Sequence, residues 1–538
     1  MLILGISCGH DANVCLVDGD AIVMHLEKER FTRRRHDGGD VDALIRIALD
    51  AAGATLDDIE LVASSIPVWP ELGVSGEIVS GAPYTSIFGH SEHVIELLGR
   101  RFRAIYVPHH VGHLAYAYYL SGFEAADLIA VDGYGNFTAT AFGCGAGHEV
   151  RAVDDIPSSV GALWSIVSKA LFGSLLDAGK TMGLAAYGQP SYVDDLKRRY
   201  YRRVDGLPVI DDAWRDLDRV PVLSELPDAT DCMRRECRDM AASIQALTTE
   251  TMLEYAALAR TPEGRGNLCL SGGVALNGIA NTAIERSGLY ERVFIPPAVN
   301  DAGLSIGFAT YALHHVLEHP VPPYTEHVSL GRPYAVEDVD RALEPYRGSV
   351  DVEALPEDAL METTAQALAA GEIVAWYQGR SESGPRALGH RSLLCHPGLP
   401  SMKDTLNRRV KHRQPFRPFG ASLLEERTAD YFTSAAASPY MLKVADVRSE
   451  RRLEIAAVVH ADGTSRPQTV APGGSERPYR ALLESFAAIT GLPLLLNTSF
   501  NTRGEPMVES PADAISSFLA CGADRLVLMD RVVTRRRS

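Results

Sequence analysis

Residues 2–24 read LILGISCGHDANVCLVDGDAIVM, in which short apolar runs alternate with polar turns that contain glycine. Apolar runs bounded by Gly, Asp and Asn are typical of short β-strands joined by tight turns. The pattern predicts strands over residues 2–7, 14–17 and 21–24. The first of the two turns carries His10 and Asp11.

A related layout recurs further along the chain. Residues 128–131 read LIAV, residues 132–136 form the polar turn DGYGN, and residues 138–144 return as a second strand. Two copies of strand, turn and strand predict a duplicated α/β domain. The layout is similar to that of the superfamily of actin, the heat-shock chaperone ATPases and the sugar kinases, in which both turns face the nucleotide phosphates.

The composition limits what kind of protein this chain can be. Its 538 residues exceed one ordinary core, so we expect two domains, over residues 1–345 and 346–538. A formal net charge of −17 argues against nucleic acid as the main partner. No apolar stretch is long enough to cross a membrane, and no signal-peptide layout opens the sequence. Eight scattered cysteines predict reduced thiols in a cytoplasm.

A histidine cluster predicts a metal site. Residues 108–113 read PHHVGH and run into a helix-like stretch, where His109 and His113 are four positions apart and share one face. Two imidazoles on one face suit a divalent transition metal. The pair His110 and His113 would also share a face, so both choices stay open. Asp301, before Ala-Gly and a helix, is a candidate ligand and equally a candidate N-cap.

His10 is a candidate general base. An imidazole near its ordinary pKa can take a proton from a hydroxyl nucleophile at neutral pH. The alternative is a turn histidine beside an Asx turn at Asp11.

The last third of the chain contains a dense polar block. Residues 379–392 read GRSESGPRALGHRS, residues 407–413 read NRRVKHR and residues 416–419 read FRPF. In a chain of net charge −17, this local excess of cations is unusual for a solvated face. Arginine forks and serine hydroxyls are the groups that a phosphate or carbamoyl phosphate pocket needs.

These motifs together resemble one family. The set runs from one end of the chain to the other: residues 9–11, 29–33, 109–113, 179–188, 271–277, 300–303, 384–389, 416–419 and 496–501. In this order they resemble the nodulation and antibiotic O-carbamoyltransferases, which include the tobramycin, novobiocin, geldanamycin and cephamycin enzymes. Each motif is weak alone, whereas the ordered set is specific.

The resemblance implies a fold and a reaction. It implies an actin-like, threonylcarbamoyl-transferase-like domain followed by a YrdC-like α/β domain that forms adenylates. The second domain would convert carbamoyl phosphate and Mg-ATP into carbamoyl adenylate and pyrophosphate. The first would then transfer the carbamoyl group to a hydroxyl of a small-molecule acceptor in secondary metabolism. Iron(II), or another divalent metal, would be the cofactor of the transfer site.

The resemblance also implies roles for particular residues. His10 would be the catalytic base. The metal ligands would be His109, His113, Asp132 and Asp301, and the nucleotide contacts would be Arg35, Gly272, Gly273 and Asn277. Carbamoyl phosphate and ATP would be bound by Arg380, Lys411, His412, Arg413, Asn497, Ser499 and Asn501.

Other readings remain open at this point. A tRNA threonylcarbamoyl-transferase-like enzyme is disfavoured by the acidic charge and the appended last third. A hydrogenase-maturation carbamoyl transferase would carry zinc-finger cysteines, which this sequence lacks. An inactive nucleotide-binding scaffold would not need His10 and the histidine cluster. Asn136 and His390 depart from the family pattern, and the acceptor and the oligomeric state, a homodimer included, are not specified.

Overall fold

The computed structural model describes most of the chain. The described residues are 1–65, 76–81, 88–136, 138–157, 159–204, 206–210, 232–324, 328–434, 436–474 and 476–536. The chain divides into two compact units, Met1–Lys28 with Asp37–Thr325 and Glu29–His36 with Glu326–Ser538.

The first unit begins with a seven-stranded mixed sheet in the order β3-β2-β1-β4-β7-β6-β5. Its strands are β1 (Leu2–Ser7), β2 (Asn13–Asp18), β3 (Ala21–Glu27), β4 (Ile59–Ser64), β5 (Glu77–Ser80), β6 (Ser91–Leu97) and β7 (Arg100–Tyr106). The three strands predicted from residues 2–24 are confirmed. All six residues of β1 are buried, as expected of an apolar strand covered on both faces.

A second sheet of the first unit has the order β10-β9-β8-β13-β14. Its strands are β8 (Ala125–Val131), β9 (Thr140–Ala146), β10 (Glu149–Ile156), β13 (Asn267–Ser271) and β14 (Arg292–Phe294), while β11 (Tyr201–Val204) and β12 (Leu207–Ile210) form a separate hairpin. In each sheet, two antiparallel pairings on one side of a central strand are followed by parallel pairings on the other. This repeated topology is the predicted actin-like duplication.

Helices of the first unit cover the sheets. They are α1 (Lys28–Thr32), which continues into the second unit, α2 (Asp42–Ala52), α3 (His109–Ser121), α4 (Val160–Phe172), α5 (Ala178–Ala185), α6 (Val193–Tyr200), α7 (Arg235–Leu258), α8 (Gly278–Arg286) and α9 (Leu304–Tyr311). Helices α3 and α9 cross closely, because a Cβ on Gly307 would lie 2.0 Å from the carbonyl oxygen of Gly112. This crossing brings the start of α3 beside the residues that precede α9.

The second unit is an eight-stranded mixed sheet in the order β15-β24-β23-β16-β17-β22-β18-β21. Its strands are β15 (Val350–Ala354), β16 (Val374–Tyr377), β17 (Arg391–Cys395), β18 (Gly420–Leu424), β21 (Pro467–Val470), β22 (Leu494–Ser499), β23 (Arg525–Leu528) and β24 (Arg531–Arg535), with β19 (Ala445–Asp446) and β20 (Thr464–Ser465) as a small pair. The helices are α10 (Val336–Leu343), α11 (Glu357–Ala369), α12 (Met402–Thr405), α13 (Thr428–Tyr431), α14 (Arg477–Thr490) and α15 (Pro511–Ala520).

Both faces of this second sheet are covered. Along β16, Ala375 and Tyr377 belong to one buried apolar cluster, and Val374 and Trp376 belong to another. The alternation follows from the two-residue period of a strand. The predicted α/β class is therefore confirmed for both units.

The division of the chain differs from the predicted boundary at residue 345. Helix α10 belongs to the second unit, because Val339 and Leu343 are buried in its larger core cluster. Residues 29–36 also belong to that unit, although they lie early in the sequence. Within the described residues, no single helix has the length and apolar character to cross a membrane, although the bent pair Val160–Phe172 and Leu175–Ala185 passes by length and composition.

Candidate functional sites

Four side chains predicted as metal ligands converge in the first unit. One donor atom from each of His109, His113, Asp132 and Asp301 lies within 4.8 Å of every other. His113 Nε2 is 3.2 Å from Asp132 Oδ2 and 3.3 Å from Asp301 Oδ1. His109 Nε2 is 3.7 Å and 3.6 Å from the same two oxygens. Imidazole nitrogens and carboxylate oxygens at this spacing are a donor set for a divalent transition metal.

The fold places each of these donors. His109 and His113 lie one turn apart on α3, Asp132 directly follows β8, and Asp301 opens the short 3-10 turn before α9. Asn13 holds that turn, because its Nδ2 donates to Asp301 O at 2.9 Å and its Oδ1 accepts from Ser305 N at 3.0 Å. Asn13 is fully buried, so it has a positioning role that the sequence did not reveal.

The cluster brings carboxylates and imidazoles together, and this shifts the pKa values of Asp132 and His113. Burial raises the pKa of the Asp132 carboxyl, but hydrogen bonds from His109 and His113 outweigh it and hold that pKa well below its ordinary value. Burial lowers the pKa of His113, and the carboxylates of Asp132 and Asp301 overcome this and raise it to about 9. His109 Nε2 is buried beside the same two carboxylate oxygens, so its lone pair could bind a cation held between them.

His110 faces Thr138 and not the two carboxylates. Its Nδ1 is 2.8 Å from Thr138 Oγ1, and its ring lies farther from His113 than the ring of His109 does. Burial and the two neighbouring histidines hold its pKa well below the ordinary value. Of the two pairs left open by the sequence, the structure therefore brings His109 together with His113.

His10 lies beside the cluster. Its Nδ1 is 3.0 Å from Asp11 Oδ2, and its Nε2 is 3.3 Å from Asp301 Oδ2. Burial lowers its pKa, but the Asp11 and Asp301 carboxylates raise it to about 10, so the imidazole is protonated at neutral pH while both carboxylates face it. The sequence predicted an ordinary pKa, because two carboxylates brought together by folding could not be foreseen.

The predicted nucleotide-binding glycines lie against a metal-ligand candidate. A Cβ on Gly273 would be 2.9 Å from Asp132 Oδ1, and a Cβ on Gly272, whose φ is +86°, would be 2.3 Å from Val131 O. The side chain of Asn277 caps α8 and exchanges two hydrogen bonds of 3.1 Å with Gln245.

Arg35 is exposed on segment 29–36, where its Nη2 is 3.3 Å from His36 Nε2.

Three of the residues predicted to bind carbamoyl phosphate and ATP meet in the second unit. Lys411 is buried, and its Nζ donates to Asn501 Oδ1 at 2.6 Å and to the carbonyl oxygen of Ser499. Ser499 Oγ donates to Asn501 Oδ1 at 2.9 Å. Burial and the charges of Arg413 and Arg417 hold the pKa of Lys411 well below its ordinary value.

Four half-buried arginines repel one another in this unit, and two of them, Arg413 and Arg417, also act on Lys411: Arg386, Arg413, Arg417 and Arg466. Burial and Arg417 lower the pKa of Arg386 to about 10 and that of Arg413 to about 9. Burial and the other three arginines hold the pKa of Arg466 well below its ordinary value. In the described part of the chain, Nε of Arg386 and Nε of Arg466 are buried without a hydrogen-bond partner, and Arg413 donates to the neutral oxygens of Asn407 and Pro418.

The other predicted residues of this site have different positions. Arg380 donates to the carbonyl oxygens of Gly331 at 2.5 Å and Leu330 at 2.8 Å. His412 is exposed, with a left-handed φ of +43°. Asn497 Nδ2 donates to Ala387 O at 3.0 Å and thereby holds the loop that carries Arg386.

Of these four arginines, the sequence analysis predicted only Arg413 as a binding residue. Arg386 and Arg417 stood in quoted motifs, so the glycine- and proline-flanked arginine pattern was the available signal. Arg466 is a single arginine between β20 and β21, and no local pattern marks it.

Two family models match this chain. The model described as Carbamoyltransferase N-terminus matches residues 92–310, and the model described as Carbamoyltransferase C-terminus matches residues 365–535. Nodulation protein NolNO of Sinorhizobium fredii is 32% identical over 98% of this chain and 79% of its own length. The 3'-hydroxymethylcephem-O-carbamoyltransferase of Streptomyces clavuligerus is 30% identical over 96% of this chain and 95% of its own length. These matches define the class as a group transferase. The chain belongs to the carbamoyltransferase family.

Solved structures match at lower similarity. Full-length HypF in the phosphate- and nucleotide-bound form has a TM-score of 0.35 and 15% identity, over 60% of this chain and 56% of that chain. An archaeal actin homolog has a TM-score of 0.28 and 12% identity, over 58% of this chain and 99% of that chain.

Proposed function

We propose that this chain is an ATP-dependent O-carbamoyltransferase that works in two half-reactions. The second unit makes carbamoyl adenylate, and the first unit transfers the carbamoyl group to a hydroxyl of a small-molecule acceptor. The observation that carries the proposal is the cluster of Arg386, Arg413 and Arg466, in which the buried Nε atoms of Arg386 and Arg466 have no hydrogen-bond partner among the described residues. Clustered guanidinium groups repel one another unless an anion lies between them, and phosphate oxygens match their fork geometry.

The first half-reaction balances with one water molecule. Water releases inorganic phosphate from carbamoyl phosphate and leaves carbamate, and a carbamate oxygen attacks the α-phosphorus of Mg-ATP as pyrophosphate departs. The arginines and Lys411, which Asn501 and Ser499 hold, would bind the phosphate groups and stabilise charge that develops on the leaving pyrophosphate. Arg380 and His412 remain proposed contacts that would require ligand-bound positions different from those described.

In the second half-reaction, the acceptor oxygen forms a bond to the carbamoyl carbon, and the bond from that carbon to the AMP oxygen breaks. His10 would take the acceptor proton. It must be neutral to do so, and this requires the charges of Asp11 and Asp301, which raise its pKa, to be engaged elsewhere. A divalent cation, iron(II) by resemblance, held by His109, His113, Asp132 and Asp301, would supply Lewis-acid stabilisation of the leaving AMP.

Fewer contacts support a nucleotide-binding role of the first unit than support the anion pocket of the second. We propose that Gly272 and Gly273 let the nucleotide approach Asp132 closely and that Asn277 orders the following helix. Arg35, which belongs to the second unit, stays a predicted nucleotide contact.

The acceptor class follows from the relatives. One relative is named for carbamoylating a hydroxymethylcephem, which is a small molecule with a primary hydroxyl. We propose an acceptor of that general kind, in antibiotic or other secondary metabolism. The net charge of −17 supports this against a tRNA substrate. We also propose a cytoplasmic location, since eight cysteines scattered over 538 residues do not have the spacing of a disulfide framework.

The proposal is tested by incubating the anaerobic, iron-loaded protein with carbamoyl phosphate and Mg-ATP. Carbamoyl adenylate, pyrophosphate and inorganic phosphate should form without an acceptor. Arg466→Ala should abolish adenylate formation, and Arg347→Ala, at an exposed arginine paired with Glu344, should leave it unchanged. A folded, metal-loaded wild type that makes no adenylate would contradict the proposal.

A further inference from the structure

Segment Glu29–His36 has an unexplained position in the fold. It follows β3 of the first unit in sequence but belongs to the second unit. Its first five residues, ERFTR, form one of the motifs that resemble the family. The proposed function does not use Arg30 or Arg33 of this motif. Both arginines make hydrogen bonds to backbone carbonyls within the second unit.

Arg30 holds the loop that carries Arg386. Its guanidinium is buried, with Nη1 donating to Glu382 O at 2.5 Å and Nη2 donating to Gly384 O at 2.7 Å. The other end of the loop is held by the buried Glu382 carboxylate, whose Oε1 accepts from Leu388 N at 2.7 Å. Arg386 therefore lies in a loop that is fixed on both sides.

Arg33 holds a different turn. Its Nη1 donates to Met507 O at 2.5 Å, and its Nη2 donates to Pro506 O at 3.0 Å. The adjoining carbonyl of Glu505 accepts from Asn501 Nδ2 at 2.8 Å, and Asn501 Oδ1 accepts from Lys411 Nζ at 2.6 Å. A chain of contacts thus runs from Arg33 to the buried lysine.

The backbone of Arg33 supports a specific role. Its φ of +59° lies in the left-handed region, which costs free energy for a residue with a side chain. The two carbonyl contacts of its guanidinium hold this conformation. A lysine could not replace either arginine fully, since one ammonium group lacks the planar fork that bridges two carbonyl oxygens.

We infer that Arg30 and Arg33 are positioning residues of the anion pocket, Arg30 acting through the Arg386 loop and Arg33 acting through the turn that holds Asn501. The inference rests on the proposed function of the second unit. It assigns a part of the adenylate-forming site to residues that precede most of the transfer unit in sequence.

The test is a set of double-mutant cycles in the full-length chain, with pyrophosphate binding measured by calorimetry and KM for carbamoyl phosphate measured in adenylate formation. Arg30→Ala and Arg33→Ala should each weaken pyrophosphate binding and raise KM by about ten- to a hundredfold, as displaced binding groups do. Arg30→Ala should add little in the Arg386→Ala background, and Arg33→Ala should add little in the Asn501→Ala background. In the crossed pairs, Arg30 with Asn501 and Arg33 with Arg386, the free-energy effects of the two substitutions on pyrophosphate binding should add.

Controls distinguish a failure of the proposed function of the second unit from a failure of the positioning role of Arg30 and Arg33. Arg347→Ala should match the wild type, and cobalt binding by the first unit should be unchanged in every variant. If Arg30→Ala fails to fold, Arg30→Lys replaces it and should show an intermediate loss. A wild type that neither binds pyrophosphate nor forms adenylate overturns the proposed function. A wild type that does both, with additive effects in all four pairs or none from Arg30 and Arg33, overturns only the positioning inference.

Discussion

His113 Nδ1 lies 3.2 Å from Ser271 Oγ, and this contact fixes which ring nitrogen faces Asp132 and Asp301. Ser271 Oγ also donates its hydrogen to Val299 O at 3.3 Å, so toward the imidazole it accepts a hydrogen bond from Nδ1–H. Nε2 is thereby left for a cation. Outer contacts of this kind orient metal-binding histidines and raise their basicity.

Ser271→Ala should weaken metal binding by about ten- to a hundredfold, because the imidazole loses the partner that orients it. Cobalt(II) titration of the metal-free protein by visible absorption measures the change. Carbamoyl adenylate formation should be unaffected. Equal cobalt affinity in the variant and the wild type would contradict the role of Ser271.

The glycine pair gives two contrasting substitutions. Gly273→Ala places a Cβ 2.9 Å from Asp132 Oδ1, the end of a side chain that can rotate away. The protein should remain folded and lose cobalt affinity. Gly272→Ala places a Cβ 2.3 Å from the Val131 carbonyl at a φ of +86°, so it should destabilise the fold by about 2 kcal/mol or more. Thermal unfolding and cobalt titration together distinguish the two variants. A Gly273→Ala protein that is destabilised but binds cobalt as tightly as the wild type would contradict the prediction.

His10→Ala should separate the half-reactions. Adenylate formation should continue at the wild-type rate, whereas carbamoyl transfer to an added acceptor should fall by about two to four orders of magnitude, the usual contribution of a general base. Adenylate and acceptor product are measured in the same reaction by mass spectrometry. Loss of both activities in the folded variant would place His10 outside the proposed transfer step.

Arg466→Ala should affect stability and binding in opposite directions. Removing one cation from a group of mutually repelling arginines should stabilise the ligand-free protein by about 1 kcal/mol. The increase in Tm that pyrophosphate causes in the wild type should disappear in the variant. A lower Tm without ligand would indicate that the charges are already compensated.

The stability of the first unit should depend on the protonation of His314. This side chain is fully buried, its Nε2 lies 2.7 Å from Tyr324 Oη and its Nδ1 lies 2.9 Å from His319 O. Burial lowers its pKa from 6.5 to about 4, so the unfolded chain binds the proton more readily between these values. The contribution of neutral, buried His314 to the free energy of unfolding is therefore fully present above pH 6.5 and is lost as the pH falls toward 4.

The loss attributable to His314 should reach about 3 kcal/mol, at about 1.4 kcal/mol per pKa unit. Urea unfolding between pH 7 and pH 4 measures it. His314→Gln, which keeps polar atoms but does not titrate, should show a correspondingly shallower dependence on pH. Identical slopes for the two proteins would show that His314 is not the group responsible.

Local patterns predicted those features whose physical causes are local. The strands within residues 2–24 follow from turn residues between apolar runs, and the shared face of His109 and His113 follows from helical spacing. The choice between His109 and His110 required the structure, because Thr138, which binds His110, lies on a different element.

Features that depend on long-range contacts were not predictable. Arg466 joins Arg386 only because folding brings two separate loops together. The pKa of His10 depends on Asp301, which is distant in sequence. The position of the unit boundary before α10 was not predictable either, because the burial of Val339 and Leu343 depends on partners near the C-terminus.

The membership of residues 29–36 in the second unit has a consequence for synthesis of the protein. The ribosome makes this segment early, but the carbonyls of Pro506 and Met507 that receive Arg33 are made near the end. The second unit therefore cannot complete its folding during translation of the first, and no single cut of the gene yields both units whole.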